Sequence, residues 1–555
     1  MDRKHFLKIS SVSLAGLIFN SEVAGEGQAI YQLTLPDEIW IQSGNEWYKL
    51  SSSNSYKYIF KDVEVLLKHN QNLLSVLVTS PTLPLDAVKL KWKHSISSDT
   101  FCLGDHWERT YGDVSWQKPN PGKNMPWYFI QYDKNNTNCF GVKTGCNSIC
   151  YWDVDSNYMH LTLDTHSGGV GVQLGTRTLL AADIIATKNN PGEWVFATAQ
   201  RFCKQMCDKP RLPKQPVYGI NDWYFTYGNN SAKLILEHTS LLTGLATNNE
   251  NRPFSVIDAG WASYSPLLPG DCCWQDDSSR PNDHFKDMHK LAGDIQNLGM
   301  RPGLWMRPLC ATHDDKAALL LPLIPGRNDP KMPVLDPTIE ENINRIKRNI
   351  SLYKEWGYQM VKHDYTTFDI TGRWGFEMKE SITSNGWRFN DNSKTTAEII
   401  LHLFSAIREA AGNMYIIGCN TLSHLSAGLF ELNRIGDDTS GKEWDRTRKM
   451  GVNTLAFRSI QHHHFYSADA DCVGLTNNVP WNKNKQWMQL LAESSTPLFI
   501  SAQPDALGSE QKEFIKKSFD TAAKTLPICE PLDWMQTNLP SKWKLNGKVV
   551  TFDWN

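Results

Sequence analysis

The chain has 555 residues, of which 41% are hydrophobic and 21% charged, and its net charge at pH 7 is −2. This composition is ordinary for a globular protein, and without a basic excess or stripe nucleic acid is excluded as the expected partner. The length allows three or four domain equivalents, or one large barrel with appendages.

Residues 1–25 read as an export signal. "MDRKHFLK" is basic, "ISSVSLAGLIF" is apolar but too short to span a bilayer, and "VAG" supplies small residues for cleavage. The run "RKHFLK" is similar to a twin-arginine signal with Lys in the second place, and a general secretory signal fits equally. The expected location is periplasmic or extracellular. No other stretch is long and apolar enough for a membrane span.

Residues 26–210 carry short alternating runs such as "EVLLKH", "LSVLVTS", "AVKLKWKH", "WYFIQY" and "HLTLDT", separated by turn clusters such as "NPGKN" and "HSGGVG". That rhythm predicts an N-terminal β-sandwich domain. Of the 12 cysteines, Cys146/Cys150 and Cys203/Cys207 share a spacing that would put each pair on one helix face. Neither pair has zinc-ligand spacing or a nearby pair of histidines, so buried thiols or disulfides are expected. The Pro-rich "KPRLPKQP" (209–216) marks a boundary.

From about residue 213 to 525 the texture is α/β. Predicted strands lie at 217–223, 254–258, 301–306, 358–364, 414–419, 432–436, 462–467 and 497–501, with amphipathic helices at 283–298, 339–356, 394–411 and 509–524. Eight strand–helix units predict a (β/α)8 TIM barrel. An open doubly wound sheet is disfavoured because the first βα turn has no GxGxxG. Residues 526–555 form a short C-terminal β segment of one or two strands. "QHHHF" invites a metal assignment, but consecutive residues on a strand alternate faces, so at most two of its histidines converge. No metal and no cofactor are expected.

Catalytic groups of such barrels sit at the C-terminal strand ends. Those ends carry Asp222-Trp223, Asp258, Trp305 with Arg307, Lys362 with Asp364, Cys419-Asn420, Arg434 with Asp437-Asp438, and Asp469 with Asp471. A ring of carboxylates with aromatics and a few cations suits hydroxyl-rich, uncharged substrates, and two carboxyls suffice for glycosidic chemistry. The 21 tryptophans fit sugar binding as well as packing. Lys362 and Asp364 lie two apart, hence on one strand face. The pair is either a plain salt bridge or an ammonium that keeps a nucleophilic carboxylate ionised, and the acid ring favours the second.

The ordered set "VIDAGW", "PGLWM", "WGYQMVKHD", "RIGDD", "ADAD" and "STPLFISAQPDALGSEQKEFI" resembles the α-galactosidases (melibiases) of glycoside hydrolase families 27 and 36, over roughly residues 217–525. The resemblance implies a retaining exo-α-glycosidase acting on an oligosaccharide or polysaccharide. It implies Asp364 as nucleophile and Asp438 as general acid/base, with Asp437 a competitor for that role. Asp258, Trp223, Trp305, Lys362, Asn420, Arg434 and Asp471 become substrate-binding positions. The acid/base role leads to an expected rise in the Asp438 pKa. Two departures bear on specificity. Ala259 stands where the family has the second acid that grips the galactose 4- and 6-hydroxyls, and Asp469-Ala470-Asp471 replaces a D-P-D turn. Arg307 is expected either at the pocket mouth or in an ion pair. Alternatives are another α-linked sugar, transfer to a sugar acceptor, or a noncatalytic carbohydrate-binding protein on the same scaffold.

Overall fold

The computed structural model describes residues 33–70, 72–134, 136–264, 275–312, 314–328 and 333–555. The expected export signal lies outside the described residues.

Two antiparallel sheets precede residue 195, one of six strands and one of eight. Leu73–Ser80 alternates half-buried and buried residues without a break, as a strand with one covered face must. Phe129 and Phe140 of the larger sheet meet Trp152 of the smaller at ring-centroid distances of 5.5 and 6.2 Å, so the sheets share one apolar interior. Cys146 and Cys150, expected as buried thiols or a disulfide, are both buried and free, with sulfurs 3.9 Å apart.

A second architecture begins at Tyr218. Its strands are β1 (Tyr218–Asn221), β2 (Phe254–Ile257), β3 (Arg301–Met306), β4 (Met360–His363), β5 (Tyr415–Gly418), β6 (Leu432–Arg434), β7 (Ser467–Asp469), β8 (Cys472–Leu475) and β9 (Leu498–Ala502). They form one parallel sheet in the order β7-β6-β5-β4-β3-β2-β1-β9-β8. The edge strands β7 and β8 are separated only by Ala470 and Asp471. Two edges joined by so short a link cannot lie far apart, so the sheet curls into a TIM-barrel-like form.

Its helices follow from sequence. In Glu340–Glu355, Ile343, Ile346, Ile350 and Tyr353 are buried, the 3–4 spacing of one helix face. Thr395 and Glu398 close a capping box at the start of Thr396–Ala411. Inside the curl, Phe254, Val256, Met360, Tyr415, Ile417, Leu432 and Phe499 form their own apolar cluster. Gly303 of β3 belongs to the same layer, where a Cβ would come within 2.9 Å of Val256.

Two expectations need correction. The strand expected at 462–467 begins only at Ser467, because Ser459–Gln461 is a 3-10 turn and His463 adopts φ 61°. His462 accepts the Ala468 N–H at 3.0 Å and its other ring nitrogen lies 3.0 Å from the Ser495 carbonyl. Among the described residues no His, Cys, Asp and Glu group is arranged to hold a metal ion. The C-terminal segment has three short strands, since Glu530–Pro531 pairs with Lys542–Leu545, which pairs with Lys548–Thr551.

The N-terminal sheets are stitched to the curled sheet through residues 105–111. Thr110 donates to the Ile435 carbonyl at 2.9 Å, and its own carbonyl accepts the Asp437 N–H at 2.8 Å. Arg458 and Gln461 hold the two Asp105 oxygens at 2.7 and 2.9 Å, and Arg458 and Asp105 are both buried. Removing one partner of a buried pair strands the other charge. Arg458→Met is therefore expected to lower stability by about 3–5 kcal/mol, read as a lower urea midpoint.

Candidate active site

Parity carries the interior face of each strand to the mouth of the curl. Phe254 and Val256 point inward, so Asp258 does; Met360 points inward, so Lys362 and Asp364 do. A pocket of about 460 Å3, counting its open mouth, lies there, lined by Arg109, Trp223, Asp258, Ala259, Trp305, Lys362, Asp364, Tyr365, Trp374 and Asp438.

Asp364 is held at both oxygens. Trp305 Nε1 donates to Oδ2 at 3.1 Å, and the Tyr365 N–H donates to Oδ1 at 2.8 Å. The second bond requires a tight turn, and Tyr365 accordingly has φ 65°, a costly conformation for a residue with a side chain. Trp305 is fixed in turn, its carbonyl accepting from Trp261 Nε1 at 2.8 Å.

Lys362 Nζ does not bond Asp364. It donates to Asp258 Oδ2 at 2.6 Å, and Asn221 donates to the same oxygen at 2.7 Å. Burial pushes the Lys362 ammonium down, but the Asp258 carboxylate outweighs it and raises the pKa well above the usual lysine value. Beneath, Asp222 accepts the Asp258 N–H at 2.7 Å. Burial, and then the Asp258 charge, push Asp222 up to about 6.

Asp438 faces the pocket with its side chain 37% exposed, 3.0 Å from Arg434 and 3.7 Å from Arg109. Burial pushes its carboxyl up, yet Arg434, Arg109 and Lys362 together prevail and hold it at about 2. The expected rise is thus reversed, because two guanidiniums face Asp438. Its neighbour Asp437 is turned away and paired with Arg109 at 2.8 Å and Arg446 at 2.7 Å.

Six of the nine sequence-derived positions meet in the pocket: Trp223, Asp258, Trp305, Lys362, Asp364 and Asp438. The other three lie behind the wall. Asn420 is buried, bonded to the Glu108 carboxylate and accepting the Phe368 N–H at 3.0 Å. Arg434 bridges Asp438 and Asp471, the latter at 2.9 Å. Asp471 has φ 74° and also accepts the Thr439 N–H at 2.8 Å and the Tyr224 hydroxyl. Arg307 makes a two-pronged ion pair with buried Asp369 at 3.0 and 2.6 Å. Arg109, Tyr365 and Trp374 escaped the sequence reading. Tyr365 adjoins Asp364 and was within reach of it; Arg109 comes from the N-terminal sheets, and no local pattern announces it.

No protein-family model and no curated protein matches the sequence. Solved structures do resemble the fold. An α-galactosidase from Thermus thermophilus, in complex with p-nitrophenyl α-D-galactopyranoside, aligns with a TM-score of 0.57 at 15% identity, covering 93% of this chain and 98% of that one. The chain shares this fold. A family 36 α-galactosidase from Geobacillus stearothermophilus, in complex with 1-deoxygalactonojirimycin, has a TM-score of 0.56 at 13% identity, with 89% and 74% covered. A family 31 sulfoquinovosidase from E. rectale has a TM-score of 0.56 at 11% identity, with 93% and 87% covered.

The electrostatics make a direct prediction. Arg109→Gln removes one cation facing Asp438 and leaves Arg434 in place, so the Asp438 pKa is expected to move upward from about 2. Infrared titration of 13C-Asp-labelled protein, with Asp438→Asn as the blank, measures the shift.

Proposed function

We propose that the protein is a retaining exo-α-glycosidase, with an α-galactoside as its best substrate. The observation that carries this is the meeting of Asp364 and Asp438 in one small pocket walled by Trp223 and Trp305. The fold shared with two α-galactosidases supports it. In this reading the curled sheet is a (β/α)8 barrel whose seventh strand is split by Ala470-Asp471 into β7 and β8.

Asp364 attacks the anomeric carbon as the bond to the leaving oxygen breaks, and Asp438 gives that oxygen a proton. A glycosyl ester of Asp364 results. Asp438 then takes a proton from water, whose oxygen attacks the same carbon and frees Asp364. Trp305 and the Tyr365 N–H orient the nucleophile, while Lys362 and Asp258 face the sugar hydroxyls. Donation by Asp438 requires it to hold a proton when sugar is bound, so the entering substrate must loosen one of its arginine contacts. A second reading keeps the chemistry and changes the sugar. Ala259 lines the pocket where the resemblance implies a second acid for galactose.

The test is hydrolysis of an aryl α-glycoside panel, galactoside first, with the product anomer followed by proton NMR. Wild type is expected to release the α-anomer, and Asp364→Asn to lose at least about 10³-fold in kcat. Release of the β-anomer, or an active Asp364→Asn protein, overturns the mechanism. Turnover of another α-glycoside in preference to galactoside selects the second reading.

We also propose export to the periplasm or the cell exterior, supported by the basic, apolar and small-residue order of residues 1–25. Mass spectrometry of protein from the extracytoplasmic fraction is expected to find a mature N-terminus near Gly25. An intact Met1 there, or protein confined to the cytoplasm, overturns it.

A further inference from the structure

Three consecutive residues at the end of β3 grip the turn that carries Asp364. Trp305 Nε1 bonds one oxygen of its carboxyl. The Met306 carbonyl accepts the Asp364 N–H at 3.0 Å. Arg307 reaches one helical turn further. Its guanidinium lies 5.1 Å from the centre of the Tyr365 ring and makes the two-pronged pair with Asp369. Tyr365 precedes the short helix Thr366–Thr371, and the Asp369 N–H within that helix donates to the Tyr365 carbonyl at 2.8 Å. Positions four apart share a helix face, so one cation covers both.

The rest of this helix is pinned from other directions. Asn420 accepts the Thr367 N–H at 3.2 Å on its carbonyl and the Phe368 N–H at 3.0 Å on its side chain. Arg327 donates to the Asp369 and Ile370 carbonyls at 2.8 and 2.6 Å. The left-handed turn at Tyr365 is the costly point of the segment. The Tyr365 ring meets Trp305 and Trp374 edge-on, and the guanidinium ties that ring to a carboxylate on the following helical turn. Arg307 and Asp369 are both buried. Burial pushes the Asp369 carboxyl up, Arg307 opposes it, and the Asp364 charge adds to the rise. Arg307 therefore also offsets a like charge behind Asp364.

We propose that Arg307 and Asp369 are positioning residues for Asp364. Their ion pair, with the guanidinium against the Tyr365 ring, holds the left-handed turn through which the Tyr365 N–H orients the Asp364 carboxyl. They act through Tyr365, since the pocket lining contains neither of them. The effect on turnover rests on the glycosidase assignment. The effect on the Asp364 carboxyl rests on this geometry alone.

Removing one partner would strand a buried charge and test folding instead of positioning, so the pair is replaced whole. Arg307→Met/Asp369→Leu is expected to keep a urea midpoint near that of wild type. Its kcat for p-nitrophenyl α-galactoside is expected to fall about 100-fold, the scale of a misplaced reacting group, with KM little changed. Arg307→Lys keeps the charge but loses the planar fork, and is expected to show an intermediate loss. The indole 15N–1H signal of Trp305, assigned with Trp305→Phe, reads the same turn without turnover. Asp364→Asn removes the charge that this indole meets and marks the signal's position without it. In Arg307→Met/Asp369→Leu and Arg307→Lys the signal is expected to move from its wild-type position toward that mark. An unchanged kcat, an unmoved indole signal, or coincident signals in wild type and Asp364→Asn overturns the assignment. If wild type hydrolyses no α-glycoside, a moved indole signal upholds the positioning and overturns only the glycosidase reading.

Discussion

The bond between Lys362 and Asp258 is the constraint around which the site is arranged. Lys362 extends β4 inward and Asp258 follows β2, with β3 lying between them in the sheet. Their 2.6 Å contact therefore spans the mouth of the curl. Both groups are buried, and a buried pair is tolerable only when its remaining hydrogen-bonding capacity is met. Asn221 and the Ala259 N–H meet it for Asp258, and Asp222 fixes the backbone from below. With the ammonium committed there, Asp364 is left to Trp305 and a backbone N–H, neither of which neutralises its charge. That arrangement orients the Asp364 carboxyl without a cation in hydrogen-bonding contact.

Asp438 is governed by a different balance. Asp438 is exposed enough to reach a ligand, yet Arg434 and Arg109 face it, and the second comes from a separate sheet system. Motif spacing puts Arg434 four residues before Asp438 and foretells one cation. The other depends on how residues 105–111 dock against β6, which is a tertiary event. The rise expected for Asp438 has the wrong sign because the nearest charges are positive.

Much of the fold was legible because its signals are local. Helix faces such as Ile343, Ile346 and Ile350 repeat at helical spacing, and the parity of Met360, Lys362 and Asp364 is visible in the string itself. Where the chain bends against its propensity, the sequence misled. The aromatic character of His462–Tyr466 suggests a strand, but His463 turns left-handed and the strand starts later. The split between β7 and β8 depends on Asp471 in a left-handed conformation, held by Arg434, Thr439 and Tyr224. Those partners lie far off in sequence. Asn420, Arg434 and Asp471 likewise take partners distant in sequence and lie buried outside the pocket lining.

The docking of residues 105–111 bears on how such a protein is inherited. Glu108, Arg109 and Thr110 touch the loop after β4, the end of β5 and the end of β6. The parallel sheet alone holds both Asp364 and Asp438 and still lacks part of the pocket wall. The two halves are therefore not interchangeable modules. Recombination that moved the curled sheet beneath a foreign N-terminal partner would transfer the motifs while leaving the chamber open, because Arg109 supplies part of its wall.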